Sequence, residues 1–328
     1  MQKNHRKQYG VALLEKYKEQ VYKILFQYYE QCEDVVQGVT QDDVIIDKSS
    51  MSDTFRNNFK GAPMIYRFDN FIENEINPVT QEKYDDSWVI FILNNEPYQM
   101  KCGSENGCAY TLRVSKRCTF WKMALCDFVG YNEAISRNGI IVVSENDLQE
   151  AKIAYAGHSY KDSFLRMYES RIMVHSTTFE NYQSILKCDA LKSWNALRKS
   201  KMIVEEYPIG MQLGDPTDLR DYILFGTGTT GEIVVNSKQA NRLIYDENVK
   251  YKTGARLYFD MKKIAEDGLL IRDGGEMKVK DTLKLKPYLV WIATWENVGL
   301  ENSISTPRIF AEKADKLFRK YYGEKYGF

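Results

Sequence analysis

The segment Arg171–Leu197 constrains the fold of this chain more than any other. It opens with the apolar run Ile172–Val174 and passes directly into the polar triplet His175–Thr177. Apolar residues then recur at helical spacing, at Phe179, Tyr182, Ile185 and Leu186. The pattern predicts a strand that ends at the polar triplet and then folds back through a helix.

The junction between this strand and this helix is a candidate ligand site. Thr177 and Glu180 have the spacing of a capping box, which predicts that the helix starts just after His175. Free backbone N–H groups at a helix N-terminus favour anionic groups such as phosphates. An ordinary strand–turn–helix, in which the histidine helps to cap the helix, fits the same pattern.

Composition and charge narrow the class of protein. The chain has 328 residues, 44% hydrophobic and 27% charged, which is typical of a soluble globular protein of about two domains. It contains no run of about 20 apolar residues and no secretory signal, so we expect a cytoplasmic protein without membrane association. Residues 166–328 hold 26 Lys+Arg against 22 Asp+Glu, an excess too small to argue for nucleic-acid binding.

Residues 1–165 are predicted to form a mixed α/β domain. Apolar residues at helical spacing between Val11 and Val36 predict one long helix. The apolar runs Trp88–Leu93 and Gly139–Val143 predict two buried strands. This part shows no catalytic pattern, so we expect a recognition, regulatory or oligomerisation role.

Four cysteines lie between those two strands, at Cys102, Cys108, Cys118 and Cys126. Four thiolates can bind zinc tetrahedrally, but the spacing lacks the paired CxxC of common zinc sites. The alternative is that these cysteines are buried and act as small hydrophobic residues.

Residues 166–328 are predicted to form a second domain with many short strands and few helices, which makes the chain α+β. Strands are predicted at 172–174, 221–225, 232–235, 255–260, 269–272, 276–279 and 288–295. The run Gly226–Gly231 lacks the lysine of a P-loop and the lead-in of a dinucleotide-binding fingerprint, so we predict a turn between two strands. The last predicted element is a basic helix, Arg308–Tyr322.

Three stretches of this second domain carry a resemblance to a known family. The first is His175–Thr177 with the helix up to Leu191, the second is Leu219–Phe225, and the third runs through Leu257–Gly268 and Gly275–Leu289. In this order they resemble the ADP-ribosyltransferase superfamily, most closely its branch of KptA-type tRNA 2′-phosphotransferases and DarT-like toxins. The resemblance covers about residues 171–294. It implies an ADP-ribosyltransferase-like split β-sheet domain, preceded here by the mixed α/β domain.

The resemblance implies that NAD⁺ is the ADP-ribose donor. The family's triad of His, Tyr or His, and Glu falls on His175, Tyr222 and Glu276. His175 would hydrogen-bond the ribose next to the nicotinamide, with Ser176 and Thr177 nearby, and Tyr222 would stack on the nicotinamide ring. Glu276 would bind the ribose 2′-OH. A carboxylate there stabilises the sugar cation that forms as the glycosidic bond breaks.

Two residue assignments stay open, and two departures from the family pattern matter. Glu232 rivals Glu276 as the catalytic carboxylate, and it is alternatively an exposed strand residue. Arg198 and Arg256 are the candidates for a bidentate contact with the pyrophosphate. The phosphotransferases carry a winged-helix domain with an L-R-H motif, which this chain lacks. They also lack a glutamate at the third triad position, where this chain has Glu276, so ADP-ribosyl transfer is favoured over phosphotransfer.

The leading hypothesis is an NAD⁺-dependent mono-ADP-ribosyltransferase that modifies a protein or nucleic acid, as a toxin or phage-conflict effector with an antitoxin or viral protein as a partner. RNA 2′-phosphotransfer and NAD⁺ hydrolysis are the enzymatic alternatives. The non-enzymatic alternative is a degenerate transferase fold that binds a nucleotide or a partner.

Overall fold

The computed structural model describes residues 64–70, 75–97, 99–101, 109–202 and 215–327. They divide into two compact units: one contains the described residues up to Tyr160 together with Asp273–Gly275, and the other contains Lys161–Arg272 and the residues from Glu276 onward. No helix in these ranges combines the length and the apolar character needed to cross a membrane. The helix predicted between Val11 and Val36 lies outside the described residues.

The first unit is built on a five-stranded sheet. Its strands are β1 (Ile65–Phe68), β2 (Trp88–Asn94), β3 (Gln99–Lys101), β4 (Tyr110–Ser115) and β5 (Asn138–Val142). The order is β1-β5-β2-β4-β3, with β3 antiparallel at one edge and the other four parallel. β2 is apolar from Trp88 to Leu93 because both of its faces are covered: Val89 and Phe91 lie in one core cluster, and Trp88 and Ile90 in another.

Two helices in this unit pack on one face of the sheet. They are α1 (Trp121–Ala134) and α2 (Glu145–Ala154), and both contribute to the core cluster that contains Phe91. Cys118 and Cys126 pack against this core. Cys102 and Cys108 lie outside the described residues, so the zinc alternative stays a prediction. Among the described residues, no group of three or more His, Cys, Asp or Glu side chains is placed to hold a metal ion.

The second unit contains ten short strands. They are β6 (Ile172–Thr177), β7 (Ala190–Lys192), β8 (Tyr222–Phe225), β9 (Tyr251–Lys252), β10 (Ala255–Asp260), β11 (Leu270–Arg272), β12 (Met277–Lys280), β13 (Thr282–Lys284), β14 (Leu289–Thr294) and β15 (Ile304–Ser305). Six of them form two antiparallel sheets, with the orders β14-β10-β6 and β11-β12-β8. β13 pairs with β7, and β15 pairs with β9.

The helices of this unit are α3 (Phe179–Cys188), α4 (Trp194–Lys199), a 3-10 helix (Thr217–Asp221), α5 (Thr230–Ala240), α6 (Met261–Glu266) and α7 (Pro307–Tyr326). α3 ends at Asp189, which adopts the left-handed conformation (φ 50°) that Asp tolerates. α7 begins at Thr306, whose hydroxyl accepts a hydrogen bond from the backbone N–H of Ile309.

Successive side chains of β10 point into two different cores. Leu257 and Phe259 lie in one cluster with Phe225 of β8. Tyr258 points the other way and stacks on Phe318 of α7, with ring centroids 4.4 Å apart. This alternation is why β10 is buried along its whole length.

The chain is of the predicted α+β type, but two local predictions were wrong. β6 does not end before the polar triplet, because its ladder with β10 continues to the pair Thr177 and Ala255. Consequently Thr178, and not Thr177, caps α3 by accepting from the backbone N–H of Asn181. Residues 232–235, predicted as a strand, belong to α5, so the glycine-rich run joins a strand to a helix.

Candidate functional site

The two three-stranded sheets meet at one bridge and diverge beside His175. The bridge consists of two backbone hydrogen bonds between Val174 and Gly226, of 2.9 and 3.0 Å. Beyond it, the described residues of β6 and β8 form no further ladder pair. The Nδ1 atom of His175 lies 3.1 Å from the carbonyl oxygen of Leu224 and takes the place of the next ladder bond. We call the opening between His175–Thr177 and Leu224–Gly226 the wedge.

The contact with Leu224 defines the state of the His175 ring. A carbonyl oxygen only accepts, so Nδ1 carries the hydrogen and a neutral ring has its lone pair on Nε2. Burial lowers the pKa of His175, and the hydrogen bond to Leu224 only partly opposes this shift. The ring also lies edge-to-face with Phe225, at 6.4 Å between centroids. His175 therefore offers an acceptor nitrogen to a hydroxyl group near neutral pH.

The backbone of Ser176 faces the wedge. In an antiparallel ladder, the N–H and C=O groups of successive residues point alternately to the two neighbouring strands. Those of Val174 point to β8, where they bond Gly226, so those of His175 point to β10 and those of Ser176 to β8 again. Because the β6–β8 ladder has stopped there, one donor and one acceptor lie side by side in the wedge.

The side chain of Ser176 points to α5 instead. Its Oγ donates a hydrogen bond of 2.6 Å to Oε1 of Glu232, in the first turn of α5. Gly231 makes this close approach possible, because a Cβ at that position would lie 2.6 Å from Oγ of Ser176. The first turn of α5 is thus packed directly against the end of β6.

Glu232 is buried inside the unit and forms an ion pair with Arg256. Both side chains are 1% exposed, and Nη1 of Arg256 lies 2.8 Å from Oε2 of Glu232. Burial raises the pKa of Glu232, and the positive charge of Arg256 opposes that shift. The alternative of an exposed strand residue is therefore wrong for Glu232, which is a buried helix residue.

All three side-chain nitrogens of Arg256 are hydrogen-bonded within the unit. Nη1 also donates to the carbonyl of Gly228 at 2.9 Å, and Nε to the hydroxyl of Tyr258 at 3.1 Å. Nη2 donates to both carboxylate oxygens of Asp315 in α7, at 3.0 and 3.3 Å. This placement favours a structural role, and the pyrophosphate contact stays a prediction. Arg198, the other candidate, is exposed in the last turn of α4.

Tyr222 is the first residue of β8 and is largely buried. It is 8% exposed, and the ammonium of Lys278 lies 4.6 Å from the ring centroid. Lys278 is itself fully buried and lies 3.7 Å from the carboxylate of Asp218. One face of the Tyr222 ring is thus occupied by a cation, and stacking on the nicotinamide would require the other face to become accessible.

Thr177 lies at the β6 side of the wedge, and Glu276 lies near β8. Glu276 directly precedes β12, which pairs with β8 on the side away from β6, and continuing the register of Met277 and Phe225 by one residue would place Glu276 next to Gly226. Glu276 is partly exposed. Thr177 is 8% exposed and shares one face of β6 with His175.

The structure brings some predicted residues together and separates others. Ser176, Glu232 and Arg256 form one connected cluster, whereas the hydrogen bond and the ring contact of His175 go to β8. Sequence reasoning missed the carbonyl of Leu224 and the carboxylate of Asp315. A backbone carbonyl leaves no mark in the sequence, and Asp315 lies in α7, where it appeared to be one of many charged residues.

Comparison of the chain with protein-family models, curated proteins and solved structures finds no match in any of the three. The residues and geometry of the wedge are therefore the basis for assigning a function.

Proposed function

We propose that this chain is an NAD⁺-dependent mono-ADP-ribosyltransferase that modifies a macromolecule. The observation that carries the proposal is the divergence of β6 from β8 at His175, next to the backbone N–H and C=O of Ser176, which have no ladder partner among the described residues. The resemblance in sequence motifs implies a split β-sheet domain and a ribose-binding role for His175.

The nicotinamide end of NAD⁺ fits the backbone of Ser176. A carboxamide has one acceptor oxygen and an N–H₂ donor on the same carbon. The N–H and C=O of Ser176 form the complementary pair, and both point into the wedge. Two such hydrogen bonds would hold the amide and thereby orient the ring and the attached ribose.

His175 and Glu276 would act on the ribose. Nε2 of the neutral His175 ring accepts a hydrogen bond from a ribose hydroxyl, because Nδ1 is already committed to Leu224. Glu276 would lie beside the anomeric carbon and stabilise the positive charge that develops there. Glu276 is partly exposed, whereas Glu232 is buried.

The reaction breaks one bond and forms another. The bond from the anomeric carbon to the nicotinamide nitrogen breaks, and the electron pair leaves with the neutral nicotinamide. An oxygen or nitrogen atom of the acceptor then bonds to the anomeric carbon and releases its proton. Water in the place of the acceptor would give free ADP-ribose, so NAD⁺ hydrolysis is a second outcome at the same site.

Of the two candidate carboxylates, Glu276 suits this role and Glu232 does not. Glu232 is 1% exposed, and its two oxygens are committed to Ser176 and Arg256. Freeing either oxygen for a ribose would leave a buried donor or charge without its partner, which is costly.

The test compares wild type, Glu276→Gln and the control Glu180→Gln with labelled NAD⁺ and a cell lysate. Glu180 is an exposed carboxylate near the start of α3 that pairs with Lys252 at 3.1 Å. We expect Glu276→Gln to lower the rate of nicotinamide release roughly a hundredfold or more, since it removes charge stabilisation in the transition state, and Glu180→Gln to match wild type. No NAD⁺ consumption by the folded wild type, with or without lysate, would refute the proposal.

Nicotinic acid provides a second test of the amide contact. Its carboxylate lacks the N–H₂ donor and would face the carbonyl of Ser176 with a negative charge. We therefore expect nicotinamide to inhibit NAD⁺ turnover at least about tenfold more strongly than nicotinic acid, as for a site that loses a hydrogen bond and gains a repulsion. Equal inhibition by both compounds would contradict the amide contact.

A further inference from the structure

We infer that Glu232 is a positioning residue, which holds Ser176 so that its backbone stays open to the amide of the substrate. This inference rests on the proposed function and assigns Glu232 a task in substrate binding and not in the chemical step.

The backbone and the side chain of Ser176 face different parts of the unit. The backbone of Ser176 faces the wedge, and its hydroxyl is bonded to Glu232 on the side of α5. Holding the side chain therefore limits how the peptide groups on either side of Ser176 can rotate. The orientation of the N–H and C=O groups is tied to a contact outside the wedge.

Glu232 is itself fixed by contacts with several neighbouring elements. Arg256 comes from β10 and bonds Glu232, and Asp315 of α7 accepts three hydrogen bonds from Arg256. Gly231 places the backbone of α5 against Ser176, with no room for a side chain between them. We therefore expect these contacts to restrain movement of Ser176 toward β8.

Without the hydrogen bond between Ser176 and Glu232, which we call the anchor, β6 and β8 could extend their ladder by one more pair. The carbonyl of Leu224 and the N–H of Ser176 are the partners that the next rung of a β6–β8 ladder would use. Such a rung would close the wedge at the position where the amide is proposed to bind. The anchor therefore opposes the extension of a ladder that the backbone would otherwise favour.

The test uses Glu232→Gln, Ser176→Ala and the control Glu247→Gln. Glu247 also lies against α5, since it accepts a hydrogen bond of 2.9 Å from Thr229, but it pairs with Arg308 at the surface. Ser176→Ala breaks the same anchor without leaving Arg256 uncompensated, so it covers the case in which Glu232→Gln fails to fold. Circular dichroism and thermal unfolding establish that each variant is folded.

The kinetic readout separates positioning from chemistry. We expect Ser176→Ala and Glu232→Gln to raise the KM for NAD⁺ roughly tenfold and to leave kcat within about threefold of wild type, as for lost binding. Glu247→Gln should change neither constant. An unchanged KM in both anchor variants overturns the inference. A kcat loss at constant KM also overturns it, and would assign Glu232 to the chemical step.

Amide hydrogen exchange gives a readout that needs no activity. In Ser176→Ala we expect the amide of residue 176 to exchange more slowly, because it can pair with the carbonyl of Leu224, and Glu247→Gln to leave it unchanged. Unchanged or faster exchange in Ser176→Ala overturns the anchor. If wild type neither binds nor consumes NAD⁺, the proposed function fails, and the exchange result still decides whether Glu232 holds the wedge open.

Discussion

Arg256 and Arg272 are two of the buried arginines of the second unit, and their connections differ. Arg256 is 1% exposed and Arg272 is 2% exposed. Arg272 donates to both oxygens of Glu169, at 2.5 and 2.8 Å. It also donates to the carbonyls of Asp162 and Phe164, at 3.1 and 2.9 Å. All of these partners lie in one short segment, so Arg272 fastens that segment to β11.

Arg256 connects separate elements instead. Its partners belong to α5, to the loop before α5 and to α7, and through Glu232 it reaches Ser176 at the wedge. Both arginines are equally buried and equally well bonded. The comparison teaches that a buried ion pair is weak evidence for function by itself, and that the elements which it joins decide whether it affects a site.

Replacing each arginine by methionine is the most direct test of whether only Arg256 affects the proposed site. Both variants should lose about 3–5 kcal/mol of unfolding free energy, because each leaves a carboxylate buried without its partner. Only Arg256→Met should also weaken NAD⁺ binding. Denaturant unfolding and calorimetry with NAD⁺, at a temperature where both variants are folded, measure the two effects. Equal losses of NAD⁺ affinity would show that the two clusters do not differ in this respect.

A smaller change, Gly231→Ala, sharpens the link between the Arg256 cluster and the wedge. The added Cβ would lie 2.6 Å from Oγ and 2.9 Å from Cβ of Ser176, so β6 or α5 must shift. We expect a loss of about 1–3 kcal/mol in stability, typical of overpacking, together with weaker NAD⁺ binding. Gly226→Ala is the stability control, because a Cβ there meets no atom within 4 Å. A Gly231→Ala variant with normal NAD⁺ affinity would argue against this coupling.

The smallest expected effect is the pH dependence that His175 contributes. Burial lowers its pKa, so the folded state binds fewer protons than the unfolded chain below the unperturbed value of about 6.5. Stability from this group is complete above that pH and is lost as the pH falls toward the lowered pKa. His175→Gln should flatten the corresponding slope of unfolding free energy against pH.

Nitrogen NMR gives an independent view of the same group. The chain has 3 histidines, which makes assignment of the ring signals practicable. At pH 7 we expect His175 to be neutral with its hydrogen on Nδ1, as the bond to Leu224 requires. A protonated ring, or a hydrogen on Nε2, would contradict the state of the site on which the proposed ribose contact depends.

Much of the fold was predictable where one strong pattern dominates. The apolar run Trp88–Leu93 is a buried strand, because a strand covered on both faces carries few polar residues. The strand predicted at 255–260 is confirmed and is also buried, although it includes Arg256 and Asp260. The region around Glu232 was not predictable in this way. Ile233, Val234 and Val235 are β-branched and favour a strand, but packing of α5 against β6 outweighs that preference.

The sequence by itself determined the α+β class, the strand that begins at Ile172, and the list of residues worth testing. It did so because these depend on local periodicity and on the chemistry of single side chains. Only the tertiary structure decided that Ser176 hydrogen-bonds Glu232 and that Arg256 is buried and hydrogen-bonded inside the unit. It also decided that β6 and β8 diverge at His175. Those facts depend on which residues far apart in the chain become neighbours, and local patterns do not encode the partners.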